Sequence, residues 1–120
     1  KEEIMAQFML LLHENPNEFA GLSHKEFLTV IEEYRAWGQR LAAEGKLVAS
    51  HKLTDDGGRH LRKRGNEILV TDGPFAEAKE VLGGYYIVTA SSYDEAVEIA
   101  KTGPHIRYGR IEVRKVDLVD

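Results

Sequence analysis

The feature that most constrains this chain is an uninterrupted apolar run near its start, Met5 to His13 (MAQFMLLLH), closed by the turn residues Asn15, Pro16 and Asn17. The run has the length of a strand, and a strand without polar alternation is usually covered on both faces. One cover should be helices. From Ser23 the apolar spacing changes to that of a helix, with Phe27, Val30, Ile31, Tyr34 and Leu41 on one stripe. Ser23 and Glu26 predict a capping box, Leu22 and Phe27 a hydrophobic staple, and Gly45 a left-handed terminus.

Lys46 to Leu53 reads as a second strand, Asp55 to Gly58 as a turn, and Arg59 to Arg64 as a short basic strand. Gly65-Asn66 places glycine first in a two-residue loop, which suits a type II′ hairpin into Glu67 to Thr71. Gly83 to Ala90 predicts a strand with Tyr85, Ile87 and Thr89 on one face and Tyr86, Val88 and Ala90 on the other. Ser92 with Glu95 predicts a second capping box, opening a shorter helix with Tyr93, Ala96, Val97 and Ala100 along its apolar stripe. Gly103-Pro104 ends that helix, and Arg110 to Val116 forms the last strand, wetter on its Arg110, Glu112 and Arg114 face.

No repeat, low-complexity segment or linker interrupts the chain, so residues 1–120 read as one domain. The order β α β, hairpin, β α β predicts an α+β fold of the ferredoxin-like split βαβ plan with an inserted β-hairpin. Both helices would lie on one face of an antiparallel sheet, leaving the other bare. A second copy of the chain is the natural cover, which predicts a homodimer joined through its sheet faces.

Composition narrows the chemistry. Without cysteine there is no disulfide framework, thiolate zinc site, iron-sulfur cluster or cysteine nucleophile. The 16 Lys and Arg against 20 Asp and Glu leave a net charge of −4, which argues against a non-specific nucleic-acid binder. This holds although Arg59, Arg62, Lys63 and Arg64 concentrate cations on the hairpin, where edge charges also guard against aggregation. No segment reaches the roughly 20 apolar residues of a membrane span, and the run from Phe8 to Leu12 is short for a signal-peptide core. The expectation is a cytoplasmic protein.

The densest cluster of unusual residues is Thr71 to Glu80 (TDGPFAEAKE), followed by Leu82-Gly83-Gly84-Tyr85-Tyr86. Pro74 restricts Gly73, and Phe75 is an apolar residue in a loop. In one reading Asp72 makes only an Asx-turn and Phe75 plugs the core. In the other, Asp72 is a base at the mouth of a cleft between helices and sheet, with Lys79 as its electrostatic partner. Glu14, His13 and Tyr86 would be helpers and Phe75 a ligand contact. Neighbours in a strand face opposite ways, so only one of His13 and Glu14 can serve a given cleft.

No metal or cofactor is expected. His13-Glu14 resembles the start of a zinc-protease motif, but Asn17 stands where the second His is required. Ser23 and Ser92 serve as helix caps instead of nucleophiles, and Gly83-Gly84 opens a strand instead of a phosphate loop. His51 reads as a strand-face residue, and Trp37 as core or contact.

DGPFAEAKEVLGGYYIV, the opening strand MLLLHE, EGKLV after the long helix and the closing RYGRIEVRKV together resemble the YCII-related family, in its DGPF-motif branch. The resemblance runs from about Gln7 to Val116. It implies a dimeric α/β barrel of ferredoxin-like subunits. In the family's shorter branch it also implies a catalytic pair: a His on the long helix and an Asp before the terminal Glu-Gly. Aligned on Glu44-Gly45, those places hold Tyr34 and Ala43, so that dyad does not carry over.

Two functions follow as expectations. The first is a dimeric domain that binds a small polar or anionic molecule, with cofactor-free acid-base catalysis through Asp72. The second, from the resemblance alone, is a regulatory or interaction module, a companion of an extracytoplasmic-function sigma factor.

Overall fold

A computed structural model describes residues 4–73 and 80–118. The apolar run forms β1 (Ala6–Glu14), which lies between two antiparallel neighbours, β5 (Val81–Ala90) and β6 (Gly109–Lys115). With β2 (Leu47–Lys52) on the far side of β5, the sheet order is β2-β5-β1-β6, as the split βαβ plan requires. The fold is therefore α+β and ferredoxin-like. A short α1 (Asn17–Ala20) starts at the last residue of the expected Asn15–Asn17 turn, followed by α2 (His24–Ala43) and, later, α3 (Tyr93–Lys101). Among the described residues no helix is long and apolar enough to cross a membrane.

Pleating divides β1. Phe8, Leu10 and Leu12 are at most 5% exposed and form the core with Trp37 and Leu41 of α2, Val88 and Ala90 of β5, and Ala96, Ile99 and Ala100 of α3. Met9, Leu11 and His13 face away and keep partial access. Within this one chain the helices cover a single face of the sheet.

The start of α2 matches its sequence signature: Ser23 Oγ accepts from the Glu26 amide at 3.1 Å and Glu26 accepts from the Ser23 amide at 3.2 Å. Its stripe is displaced from expectation. Trp37 is buried while Phe27 and Ile31 stay open, because the helix lifts off the sheet at its N-terminal half. Trp37 is fixed by its indole N–H, which donates to Thr102 Oγ1 at 3.0 Å. The second capping box is only half formed. Ser92 Oγ accepts from the Glu95 amide, but the Glu95 carboxylate takes the Ser91 hydroxyl at 2.8 Å instead of the cap amide.

β3 (Arg59–Arg64) and β4 (Glu67–Asp72) make a separate two-stranded sheet. Gly45 and Gly65, the glycines expected at turns, take φ of +72° and +61°. Only Gly65 of the two hairpin-loop residues is left-handed, which agrees with glycine leading a type II′ turn. The hairpin projects: the radius of gyration is 16.7 Å, against roughly 14 Å for a compact domain of this length.

Candidate functional site

Where α2 lifts from the sheet, a cavity of about 360 Å³ opens between them. Leu12 and Glu14 form part of its floor from β1, Ser50 and Lys52 its rim from β2, and Tyr86 its flank from β5. Phe27, Val30, Ile31 and Tyr34 of α2 and Phe19 of α1 supply most of the apolar wall. Asp55 closes the rim from the loop after β2.

Glu14 reaches this site by register. It is the last residue of the core-facing set on β1, and it is 5% exposed. Room for its carboxyl comes from an irregularity in β5: Leu12 pairs with Gly84 but His13 with Leu82, so Gly83 is the extra residue of a bulge. A Cβ on Gly83 would overlap the Glu14 carboxyl. The acid sits where a side chain has been omitted from the adjoining strand.

Burial raises the Glu14 pKa above the ordinary carboxylate value. The neighbouring Asp55 charge and a hydrogen bond shared with Asp55 raise it further, and only Lys52 opposes them. Lys52 is engaged with Asp55 at 3.0 Å and with the Leu53 carbonyl. A carboxyl raised in this way keeps its proton to higher pH than an ordinary carboxylate, which suits a group that gives up and recovers a proton.

Across the cavity, the Tyr34 hydroxyl lies 2.8 Å from His105 Nδ1, and His105 Nε2 lies 2.9 Å from the His13 carbonyl. A carbonyl can only accept, so Nε2 carries the ring proton and Tyr34 donates to Nδ1. His105 is 1% exposed, and burial lowers its pKa and keeps it neutral. Burial raises the pKa of both Tyr34 and Tyr86, holding their hydroxyls protonated.

Of the polar candidates singled out from sequence, Glu14, His51 and Tyr86 line this cavity. His13 points to the opposite face and donates to Glu112 at 3.0 Å. Asp72 ends the hairpin with its side chain 88% exposed, 3.5 Å from Arg59, and is not in the cavity wall. Phe75 and Lys79 lie outside the described residues. His51 meets Tyr85 at 2.8 Å through its ring, and the arginines near the last strand pair with Glu33, Glu80 and Glu112.

Sequence reasoning gave no functional role to Lys52, Asp55, Gly83 or His105, and it read Tyr34 as a member of the helix's apolar stripe standing where the family's shorter branch has its histidine. One signal was readable: a glycine pair inside a strand pattern marks a bulge or close approach. Asp55 looked like any turn aspartate, and nothing local marks a histidine after Gly-Pro as the partner of a tyrosine 71 positions earlier.

A second hollow of about 560 Å³ lies between His13, the hairpin base and Glu80. It is larger but holds no buried titratable group, and His13 and Glu80 already pair with Glu112 and Arg110. Among the described residues, no group of three or more His, Cys, Asp or Glu is gathered to hold a metal ion.

The YCII-related domain family matches residues 6–119. An uncharacterized protein of Rhizobium meliloti (strain 1021) is 30% identical over 114 residues, with 92% of each chain covered. The match takes in the apolar strand, the long helix and every described wall of the cavity, and on that footing the chain belongs to the YCII-related family.

Proposed function

We propose that the protein binds a small, mostly apolar molecule in the cavity beneath α2 and exchanges a proton with it through Glu14. The observation that carries this reading is a single carboxyl, 5% exposed, facing a cavity of about 360 Å³ whose other walls are chiefly aliphatic and aromatic. Tyr34 and Tyr86 orient the ligand, and Asp55 with Lys52 sets the charge at the entrance. No cofactor enters the scheme.

The acid-base role expected of Asp72 passes to Glu14, because Asp72 is exposed on the hairpin and engaged with Arg59. The test is a thermal-shift screen of small metabolites on the wild type, Glu14→Gln and Asp72→Asn. Ligand at a hundredfold excess over its Kd stabilises by about 2.7 kcal/mol. Compounds that stabilise the wild type and Asp72→Asn but not Glu14→Gln support the reading. Loss of the effect in Asp72→Asn alone would return the chemistry to the hairpin.

The functional unit in this reading is a homodimer through the open sheet face, supported by the apolar Met9, Leu11 and Ile87 with partial access there. A second reading, an interaction module whose partner is a protein such as a sigma factor, is favoured by the hairpin. Leu61, Val70 and Ile68 lie on one of its faces, each at least 57% exposed.

A further inference from the structure

The polar groups of the cavity differ in what they can still do. Hydrogen-bond direction is settled for both tyrosines. Because His105 Nε2 must donate to the His13 carbonyl, Nδ1 is bare and consumes the Tyr34 proton. The Tyr86 hydroxyl donates, at 3.4 Å, to the Tyr34 carbonyl, which has no proton to give in return. Each tyrosine therefore offers the cavity oxygen lone pairs and no hydrogen. The hydrogen bond that Glu14 and Asp55 share needs a proton on one of the two carboxyls, and a ligand ammonium that takes that proton's place would leave both as acceptors. The Lys52 ammonium is already held by Asp55 and the Leu53 carbonyl, and the His51 ring is engaged at Nδ1 by the Tyr85 hydroxyl, so the Ser50 hydroxyl and the other nitrogen of His51 are the remaining side-chain donors in the lining, against a larger set of acceptors.

Charge points the same way. The cavity mouth holds two carboxyl groups and one ammonium, and among the described residues that ammonium forms its ion pair with Asp55, leaving Glu14 without one. A buried carboxylate without a counter-ion is costly, and a ligand cation would relieve that cost. An anion would meet two like charges and a set of lone pairs. A neutral alcohol would donate one hydrogen into a site that can accept several. An ammonium group donates three and carries the missing charge.

The remaining surface describes the rest of the ligand. Phe19, Phe27, Ile31 and Leu12 ask for an apolar body, and the faces of Tyr34 and Tyr86 favour a cation nearby. We propose that the cavity selects a small organic cation, a primary amine on an aromatic or branched aliphatic body, with its ammonium between Glu14 and Asp55. This rests on the reading of the cavity as a ligand site, and in place of the small polar or anionic molecule expected from sequence it puts a cation on an apolar body.

The test uses the full chain and three matched probes, 2-phenylethylamine, 2-phenylethanol and phenylacetate, at neutral pH and constant ionic strength. Calorimetric titration is expected to give the amine at least tenfold tighter binding than either of the others. Glu14→Gln should weaken the amine at least tenfold and leave the alcohol unchanged. If Glu14→Gln does not fold, Asp55→Asn at the accessible rim should narrow the gap between amine and alcohol in the same direction. Alcohol or phenylacetate binding as tightly as the amine, or amine binding indifferent to the carboxyl variant that folds, overturns the amine class while leaving the cavity as a ligand site. Binding of none of the three overturns both readings.

Discussion

Two faces of one strand carry almost the same kinds of side chain and meet different fates. Along β1, Phe8, Leu10 and Leu12 lie beneath the helices at 5% exposure or less, while Met9 and Leu11, one residue out of step, keep partial access. Each series ends in an ionisable residue, Glu14 on the covered side and His13 on the open one. The difference lies in the cover above each face, not in the side chains. A slip of one residue would exchange acid and imidazole between core and surface. The register that packs the core is the same register that buries the acid.

The largest expected effect separates the faces directly. Leu10→Ala should lower unfolding free energy by about 2–5 kcal/mol, as for other fully buried leucines. Leu11→Ala should cost about 1 kcal/mol in urea denaturation at low protein concentration. If the Leu11 cost rises toward that of Leu10 with increasing concentration, the open face is being covered by a second copy. Equal costs at every dilution would mean that the two faces are not different at all.

A smaller effect is expected at the bulge. Gly83→Ala drives a methyl into the place of the Glu14 carboxyl and should cost about 1–3 kcal/mol, as other overpacked sites do. The same variant should abolish any ligand-induced thermal shift. An unchanged response to ligand would show that Glu14 is free to sit elsewhere.

The smallest effect is a matter of sign. Because the pKa of Glu14 is raised on folding, the folded chain holds a proton that the unfolded chain releases. Its contribution is fully present below the unfolded value of 4.5 and is lost as pH rises through the folded value. Glu14→Gln should therefore gain on the wild type as pH rises above 4.5 and lose that gain in more acid solution. The gain amounts to about 1.4 kcal/mol for every tenfold by which folding tightens the carboxyl's hold on its proton. Denaturant midpoints across a pH series measure it, and a gain that grows toward low pH would reverse the assignment.

Much of the fold was legible because local signals agreed. Ser23 and Glu26 cap a helix with no help from the rest of the chain, and Gly65-Asn66 turns a hairpin by backbone preference alone. What failed locally failed for a tertiary reason. Phe27 and Ile31 sit on the apolar stripe of α2 but line a void, since the angle of a helix to a sheet is set by bulky partners such as Trp37 and Tyr86, whose rings meet at 4.6 Å. The site was half legible. Glu14 and Tyr86 could be placed by strand alternation, whereas Asp55, Lys52 and His105 arrive from three separate loops or edges. Asp72 drew notice through an unusual loop composition that says nothing of depth.

The hairpin of β3 and β4 has a further consequence. Its ladder of hydrogen bonds forms a sheet of its own, and its residues are mostly exposed. Two strands alone are marginal in water. The amides from Arg59 to Asp72 should therefore exchange with solvent through a local opening that leaves the four-stranded sheet closed. The chain thus contains two cooperative units of unequal strength, and its global unfolding free energy is a property of the larger one.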